Sequence, residues 1–267
     1  MDNRAIGVFD SGVGGLTVLR EIIRAVPNES TIYFGDTERV PYGPRDLSEV
    51  RRFVFKITDF LYSKDIKLIV IACNTSTAAA LNELKKRYDI PIVGVIEPGA
   101  RTAVSNTVNK KVGVIATEGT VESGEYRKEI ARIDKEIKTF QVPAPLLVEY
   151  IENGILKGDN LDSAIDGYLG PLIDAGVDVL ILGCTHFPLI EKRILSRSGN
   201  GIRVISSAVE TAKDVEKILE EKKIRADQGM KPRRIFYETG SDSKFLEVGK
   251  MFLGEEVKGV EKIELGI

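Results

Sequence analysis

A chain of 267 residues is long enough for one to two domains of about 150 residues, each with its own core, which excludes a small disulfide- or metal-stapled scaffold. Its 38 Lys and Arg stand against 40 Asp and Glu, a net charge of −2, so neither nucleic acid nor an anionic membrane is expected as a partner. No apolar run reaches the roughly 18 residues of a spanning helix, residues 1–4 are polar, and the two cysteines lack zinc or CxxC spacing; a cytoplasmic protein without a metal is expected.

From the N-terminus onward, short apolar runs rich in β-branched residues alternate with longer stretches of helical period. Each change is marked by glycine, proline or a small polar residue, the pattern of βαβ units. Strands are predicted at 6–9, 31–34, 68–72, 92–96, 112–115, 179–182 and 203–205. Most are too uniformly apolar to have a wet face and suit parallel strands covered on both sides. Helices are predicted at 16–26, 47–63, 78–88, 161–175 and 210–222. Beyond about 207 the chain reads as that last helix, a charged linker near 222–234, a strand at 235–237 and a helix at 243–252, a segment that the pattern alone does not place.

The two halves repeat one another. Ile6-Gly7-Val8-Phe9-Asp10-Ser11 lines up with Val112-Gly113-Val114-Ile115-Ala116-Thr117. The run ending at Cys73 lines up with the run ending at Cys184, and the strand starting at Pro91 lines up at the same spacing with the one starting at Ile202. Three matches in the same order point to duplication. The expected fold is therefore α/β, with two pseudo-symmetric lobes, each a mostly parallel sheet flanked by helices, and an active site in the cleft between them.

Ligands of open parallel sheets lie beyond the carboxyl ends of the strands. The residues there are Asp10-Ser11, Asp36-Thr37, Cys73-Asn74-Thr75, Thr117 and Cys184-Thr185-His186. A lone free cysteine ending a strand is commonly a small buried hydrophobe. Two at matched positions would instead place one thiol on either side of a shared cleft. Both are followed by polar residues and a helix start, with Thr75, Ser76 or Thr77 as cap in one case and Pro188 early in the helix in the other. A helix N-terminus pointing at each sulfur would lower its pKa.

Such a pair suits proton removal from one face of a carbon and return to the other, which is racemisation or epimerisation. Lowering a thiol from about 8.5 to about 7 gains less than ~2 kcal/mol, whereas enzymes lower barriers by ~8 kcal/mol or more, so orientation and charge stabilisation must supply most of the effect. Asp10 is a candidate partner for one sulfur, and His186, the single histidine, or Glu152 for the other. Gly12-Val13-Gly14-Gly15 departs from GxGxxG, since Thr17 occupies the last site; it suits a nest for a small carboxylate or a tight turn. Tyr42-Gly43, between Pro41 and Pro44, marks a loop whose ring is placed to close over a ligand.

With Phe9-Asp10-Ser11-Gly12-Val13-Gly14-Gly15-Leu16, Gly35-Asp36-Thr37, Val40-Pro41-Tyr42-Gly43, Ala72-Cys73-Asn74-Thr75 and Leu182-Gly183-Cys184-Thr185-His186, the chain resembles the glutamate racemases of the aspartate/glutamate racemase superfamily. The resemblance implies cofactor-independent interconversion of L- and D-glutamate by Cys73 and Cys184, supplying D-glutamate for peptidoglycan, in a homodimer. It implies Asp10, Glu152 and His186 as further catalytic residues. For substrate it implies Asp10, Ser11, Tyr42, Gly43, Asn74, Thr75, Thr117, Thr120, Thr185 and His186. It also suggests that residues 1–97 and 207–267 form the first lobe and 98–206 the second. Ala144, Glu149 and Ser206 depart from the family pattern; Ser206, near the expected hinge, stands where an Asp is typical. A racemase for aspartate or another amino acid is the nearest alternative, and a binding or regulatory protein on the same scaffold another. A covalent thiol hydrolase is disfavoured because it needs one nucleophile and one base, not a matched pair.

Overall fold

The computed structural model describes residues 1–266, without the side chains at positions 242–244, 251, 252 and 255; residue 267, the last of the expected C-terminal segment, lies outside the described residues. Its elements run β1 (Ile6–Asp10), α1 (Leu16–Ala25), β2 (Thr31–Gly35), α2 (Leu47–Tyr62), β3 (Leu68–Ile71), α3 (Asn74–Arg87), β4 (Ile92–Gly94), α4 (Ile96–Asn106), β5 (Lys111–Ala116), α5 (Glu118–Ser123) and α6 (Glu125–Ile133). They continue β6 (Lys138–Pro143), α7 (Pro145–Glu152), α8 (Asp159–Asp174), β7 (Val179–Gly183), α9 (Glu191–Arg197), β8 (Arg203–Ser206), α10 (Ser207–Glu221), β9 (Arg234–Glu238), α11 (Asp242–Leu253) and β10 (Glu261–Lys262).

Two sheets result, ordered β10-β9-β2-β1-β3-β4 and β6-β5-β7-β8, and every pairing is parallel. The shared order β2-β1-β3-β4 against β6-β5-β7-β8 is the duplication read from the sequence. By register, Ile69 faces Ile92 and its counterpart Leu180 faces Val204, so the fourth strands correspond one residue further along than the sequence match suggests. Strands β1, β2, β3 and β7 are buried along their whole length, because apolar clusters cover both faces of each sheet.

The C-terminal segment joins the first sheet. Strand β9 pairs with β2, and α10 contributes Ala208, Ala212, Val215 and Leu219 to the cluster that holds α1. At the opposite end of that sheet the wholly buried Lys67 lies 2.5 Å from Glu29 and donates to the carbonyls of Asp2 (2.6 Å) and Ile224 (2.8 Å). Glu29 in turn accepts from the Ala226 amide at 2.8 Å, so one ion pair fastens the charged linker to the body.

Several elements differ from the sequence reading. Strand β4 ends at Gly94, and the expected last residue, Ile96, opens α4 instead, with Pro98 tolerated in the first helical turn. Strand β6 was not expected; it is an edge strand of mostly half-exposed, alternating residues ending in Pro143 and lacks the apolar run that marks its neighbours. Helices α5 and α6 meet at Gly124, whose left-handed φ of 68° ends one and begins the other. No helix among the described residues is long and apolar enough to cross a membrane.

Candidate active site

Strands β1, β3, β5 and β7 are interior strands of the two sheets, and their carboxyl ends deliver Asp10, Cys73, Thr117 and Cys184 to one place. Cys73 and Cys184 are both free, both buried, and line the same cavity. Ser11, Tyr42, Gly43, Asn74, Thr75, Thr117, Thr185 and His186 line it as well, together with Val40, Pro41 and Val148. Its volume is about 20 Å³, room for roughly one water and far too small for an amino acid. The cleft is closed, and no Lys or Arg stands among the lining residues.

Hydrogen bonds between the two halves hold it closed. Thr185 Oγ1 donates to Asp10 Oδ2 at 3.2 Å, and Thr17 Oγ1 donates to the Thr185 carbonyl at 3.2 Å. Thr75 Oγ1 lies 2.9 Å from Thr117 Oγ1 and 3.4 Å from Thr120 Oγ1, so three hydroxyls converge at the starts of α3 and α5. The Gly119 amide donates to the Gly43 carbonyl at 2.9 Å. Gly14 has no room for a side chain: a Cβ there would sit 2.6 Å from Thr185 Oγ1 and 2.9 Å from the His186 ring.

The surroundings of the two sulfurs differ. Helix α3 begins at Asn74, not within the residues that follow it, and Cys73 itself is the cap: its Sγ accepts from the Ser76 amide at 3.4 Å. That helix N-terminus favours a thiolate, yet the expected lowering of the pKa does not occur. Burial, and next the nearby Asp10 carboxylate, push the Cys73 thiol up to about 12. Asp10 is fully buried, and burial raises its own pKa despite the pull of His186 and the amides of Gly12 and Gly15. The glycine loop is thus a nest for the chain's own carboxylate, with the Gly12 amide 3.0 Å from Asp10 Oδ1.

Cys184 has a different partner. Its Sγ lies 3.5 Å from His186 Nδ1, and His186 Nε2 lies 2.5 Å from Glu152 Oε1 at the end of α7. Burial alone would depress the imidazole, but the adjoining Cys184 and Glu152 raise its pKa well above the ordinary histidine value. After Cys184 comes a 3₁₀ turn, Phe187–Ile190, with Pro188 in its first turn, that runs straight into α9, so this sulfur does not itself cap a long α-helix as Cys73 does.

The Tyr42 ring is buried against Phe53 and its hydroxyl donates to Asp36 Oδ2, so the residue is held in the wall of the closed cavity. Asp36 also accepts from Thr239 Oγ1 and Arg39, both at 2.7 Å, which ties the Val40–Gly43 stretch to the end of β9. Sequence reasoning singled out Asp36 by its strand-end position but gave it no role. It missed Val148 as a cavity-lining residue and Tyr126 entirely, since a tyrosine on an amphipathic helix carries no distinguishing signal. Among the described residues no group of three or more His, Cys, Asp or Glu is placed to hold a metal ion.

Residues 6–215 match the family model described as Asp/Glu/Hydantoin racemase. The chain is 46% identical over 262 residues to a glutamate racemase of Corynebacterium diphtheriae, covering 98% of each. Its structure is similar to that of a glutamate racemase isoform from Bacillus anthracis, with a TM-score of 0.96, 42% identity and full coverage of both chains. It is also similar to the glutamate racemase of Francisella tularensis in complex with D-glutamate, with a TM-score of 0.93, 35% identity, and coverage of 100% and 99%.

Proposed function

The chain belongs to the Asp/Glu/Hydantoin racemase family, and on that footing we propose that it is a cofactor-independent glutamate racemase that interconverts L- and D-glutamate with two cysteines. One observation carries the reading. Cys73 and Cys184 follow matched strands of the two sheets, one from each, and line a single cavity.

In each direction one sulfur, as thiolate, takes the proton from Cα. The other, as thiol, returns a proton to the opposite face of the resulting carbanion, so the pair ends each turnover with its protonation states exchanged. With the cleft closed, Cys73 is a thiol at neutral pH. An incoming α-ammonium beside Asp10 would offset the carboxylate that suppresses its ionisation. On the other side His186, backed by Glu152, holds the proton next to Cys184. Neutral donors bind the carboxylates: Ser11, Asn74, Thr75, Thr117, Thr120 and Thr185, with the backbone around Tyr42 and Gly43 forming the remaining wall. Hydroxyls and amides at the start of α3, beside a cavity closed to bulk solvent, give carboxylate affinity without a cation that would also attract other anions.

A cavity of about 20 Å³ requires the two halves to part before substrate binds, and the same contacts then exclude water on closing. Following the resemblance, the reading includes a first lobe of residues 1–97 and 207–267, a second of 98–206, a cytoplasmic homodimer, and supply of D-glutamate for peptidoglycan. The test is incubation with L-glutamate in deuterated water, following optical rotation and deuterium at Cα. Loss of rotation with one deuterium incorporated is expected. Cys73→Ala and Cys184→Ala should each abolish racemisation, and full turnover by either variant would overturn the assignment.

A further inference from the structure

Tyr126 comes from α6 of the second half, yet its hydroxyl donates to Asn74 Oδ1, in the first half, at 2.8 Å. The side chain is fully buried in a slot that two glycines leave open. A Cβ at Gly183, the residue before Cys184, would stand 3.1 Å from the ring, and one at Gly99 would stand 3.6 Å from it. Burial keeps that phenol protonated far above neutral pH. Its proton is therefore always available to an acceptor.

An amide has two different ends, and only one can meet a donor. With Oδ1 occupied by the Tyr126 hydroxyl, Nδ2 is the end of Asn74 left for the cavity that Asn74 lines, and among the described residues no acceptor is paired with it. We infer that Tyr126 is a positioning residue: it fixes the flip of the Asn74 amide so that Nδ2 faces the cavity and donates to a substrate carboxylate. The same bond crosses the cleft, so the amide is set correctly only once the halves have closed. Discrimination against ligands lacking a carboxylate at that point is thereby tied to closure. The inference rests on the proposed racemase reading.

The experiment measures glutamate racemisation in both directions for the wild type, Tyr126→Phe, Asn74→Ala and the double variant. Tyr126→Phe should raise KM about tenfold, the value of one neutral hydrogen bond, with kcat changed much less. In the Asn74→Ala background the same substitution should cost nothing further, because its effect runs through the amide. An equal loss in both backgrounds, or none in either, would overturn the inference. Asn74→Asp is a second variant that leaves the Tyr126 slot intact: it keeps the acceptor but presents an oxygen to the substrate. A loss of at least about a hundredfold in kcat/KM is expected from carboxylate facing carboxylate, and wild-type kinetics would show that Nδ2 does not face the site. A wild-type protein that leaves glutamate unchanged would overturn the racemase reading and this inference with it, an outcome distinct from failure of the variants alone.

Discussion

Asp10→Asn should ionise Cys73 more easily. The thiol stands at about 12 against an ordinary value of about 9, which makes its thiolate about a thousandfold scarcer and costs about 4 kcal/mol. Burial is the larger cause and the Asp10 carboxylate the next, while the Ser76 amide at the start of α3 opposes both. Removing the carboxylate charge leaves burial in place, so the midpoint should fall by about 1 to 2 pH units without reaching a solvent-exposed value. Two cysteines make the assay simple: ¹³Cβ-cysteine labelling gives one NMR signal from each, assigned with Cys184→Ser. In the wild type the Cys73 signal should stay flat to about pH 10.5, and in Asp10→Asn it should begin to move within that range.

Stability carries the same information. Because the folded value lies above the unfolded one, the unfolded chain loses its proton first, and stability falls by about 1.4 kcal/mol per pH unit from about 9 towards about 12. Cys73→Ala should flatten that slope in urea melts. A wild-type Cys73 midpoint at or below 8.5 would refute the reasoning, since the helix N-terminus would then outweigh both burial and Asp10.

The single histidine permits an equally clean test of the other side. His186 ring signals should titrate above the ordinary histidine range, and in Glu152→Gln their midpoint should fall part of the way back, Cys184 still raising it; an unchanged midpoint would remove Glu152 from the relay. With a folded pKa above the unfolded one, the stabilisation from His186 is fully present below about 6.5 and is lost as pH rises through the folded value, so the wild-type advantage over Glu152→Gln in thermal melts should shrink at alkaline pH. Gly14→Ala drives a methyl into Thr185 and His186; a loss of about 1–3 kcal/mol from overpacking and at least a tenfold loss of kcat/KM are expected, and wild-type activity would show that the halves need not approach so closely there. Lys67→Met leaves Glu29 charged, buried and unpaired, so urea unfolding should show a loss of about 3–5 kcal/mol, with kcat unchanged at temperatures where the variant is folded. A smaller loss would mean that water reaches Glu29.

The fold was legible where burial is uniform. Runs such as Leu68–Ile71 and Val179–Gly183 are apolar because both their faces are covered, so composition marks them and the repeat between them. Strand β6 contradicts that logic: as an edge strand with half-exposed residues it has no such signature, although it occupies the place in the second sheet that β2 occupies in the first. The site was legible in its residues and not in its electrostatics. Strand ends named Asp10, Cys73, Cys184 and His186, but proximity to a helix start suggested easier ionisation, whereas desolvation in a closed cleft decides the matter at Cys73. How deeply a group lies and which charge faces it depend on how two distant segments pack, and no local pattern encodes that.

The duplication also explains why the two sulfurs, alike by origin, are supported differently. Equivalent strand ends place both, but only the first sulfur caps a 14-residue helix and faces a buried carboxylate, whereas only the second has a histidine and a glutamate behind it. In the proposed two-base exchange one sulfur must be thiolate and the other thiol at every turnover, and different partners let the two be tuned separately. The protein thus offers the two sulfurs different surroundings, and closure is what sets those of Cys73. Asp10 presses on Cys73 and is at the same time held by Thr185 from the other half. Opening the cleft would hydrate Cys73 and release Asp10 together, so the protonation of Cys73 and the position of the halves should change as one event.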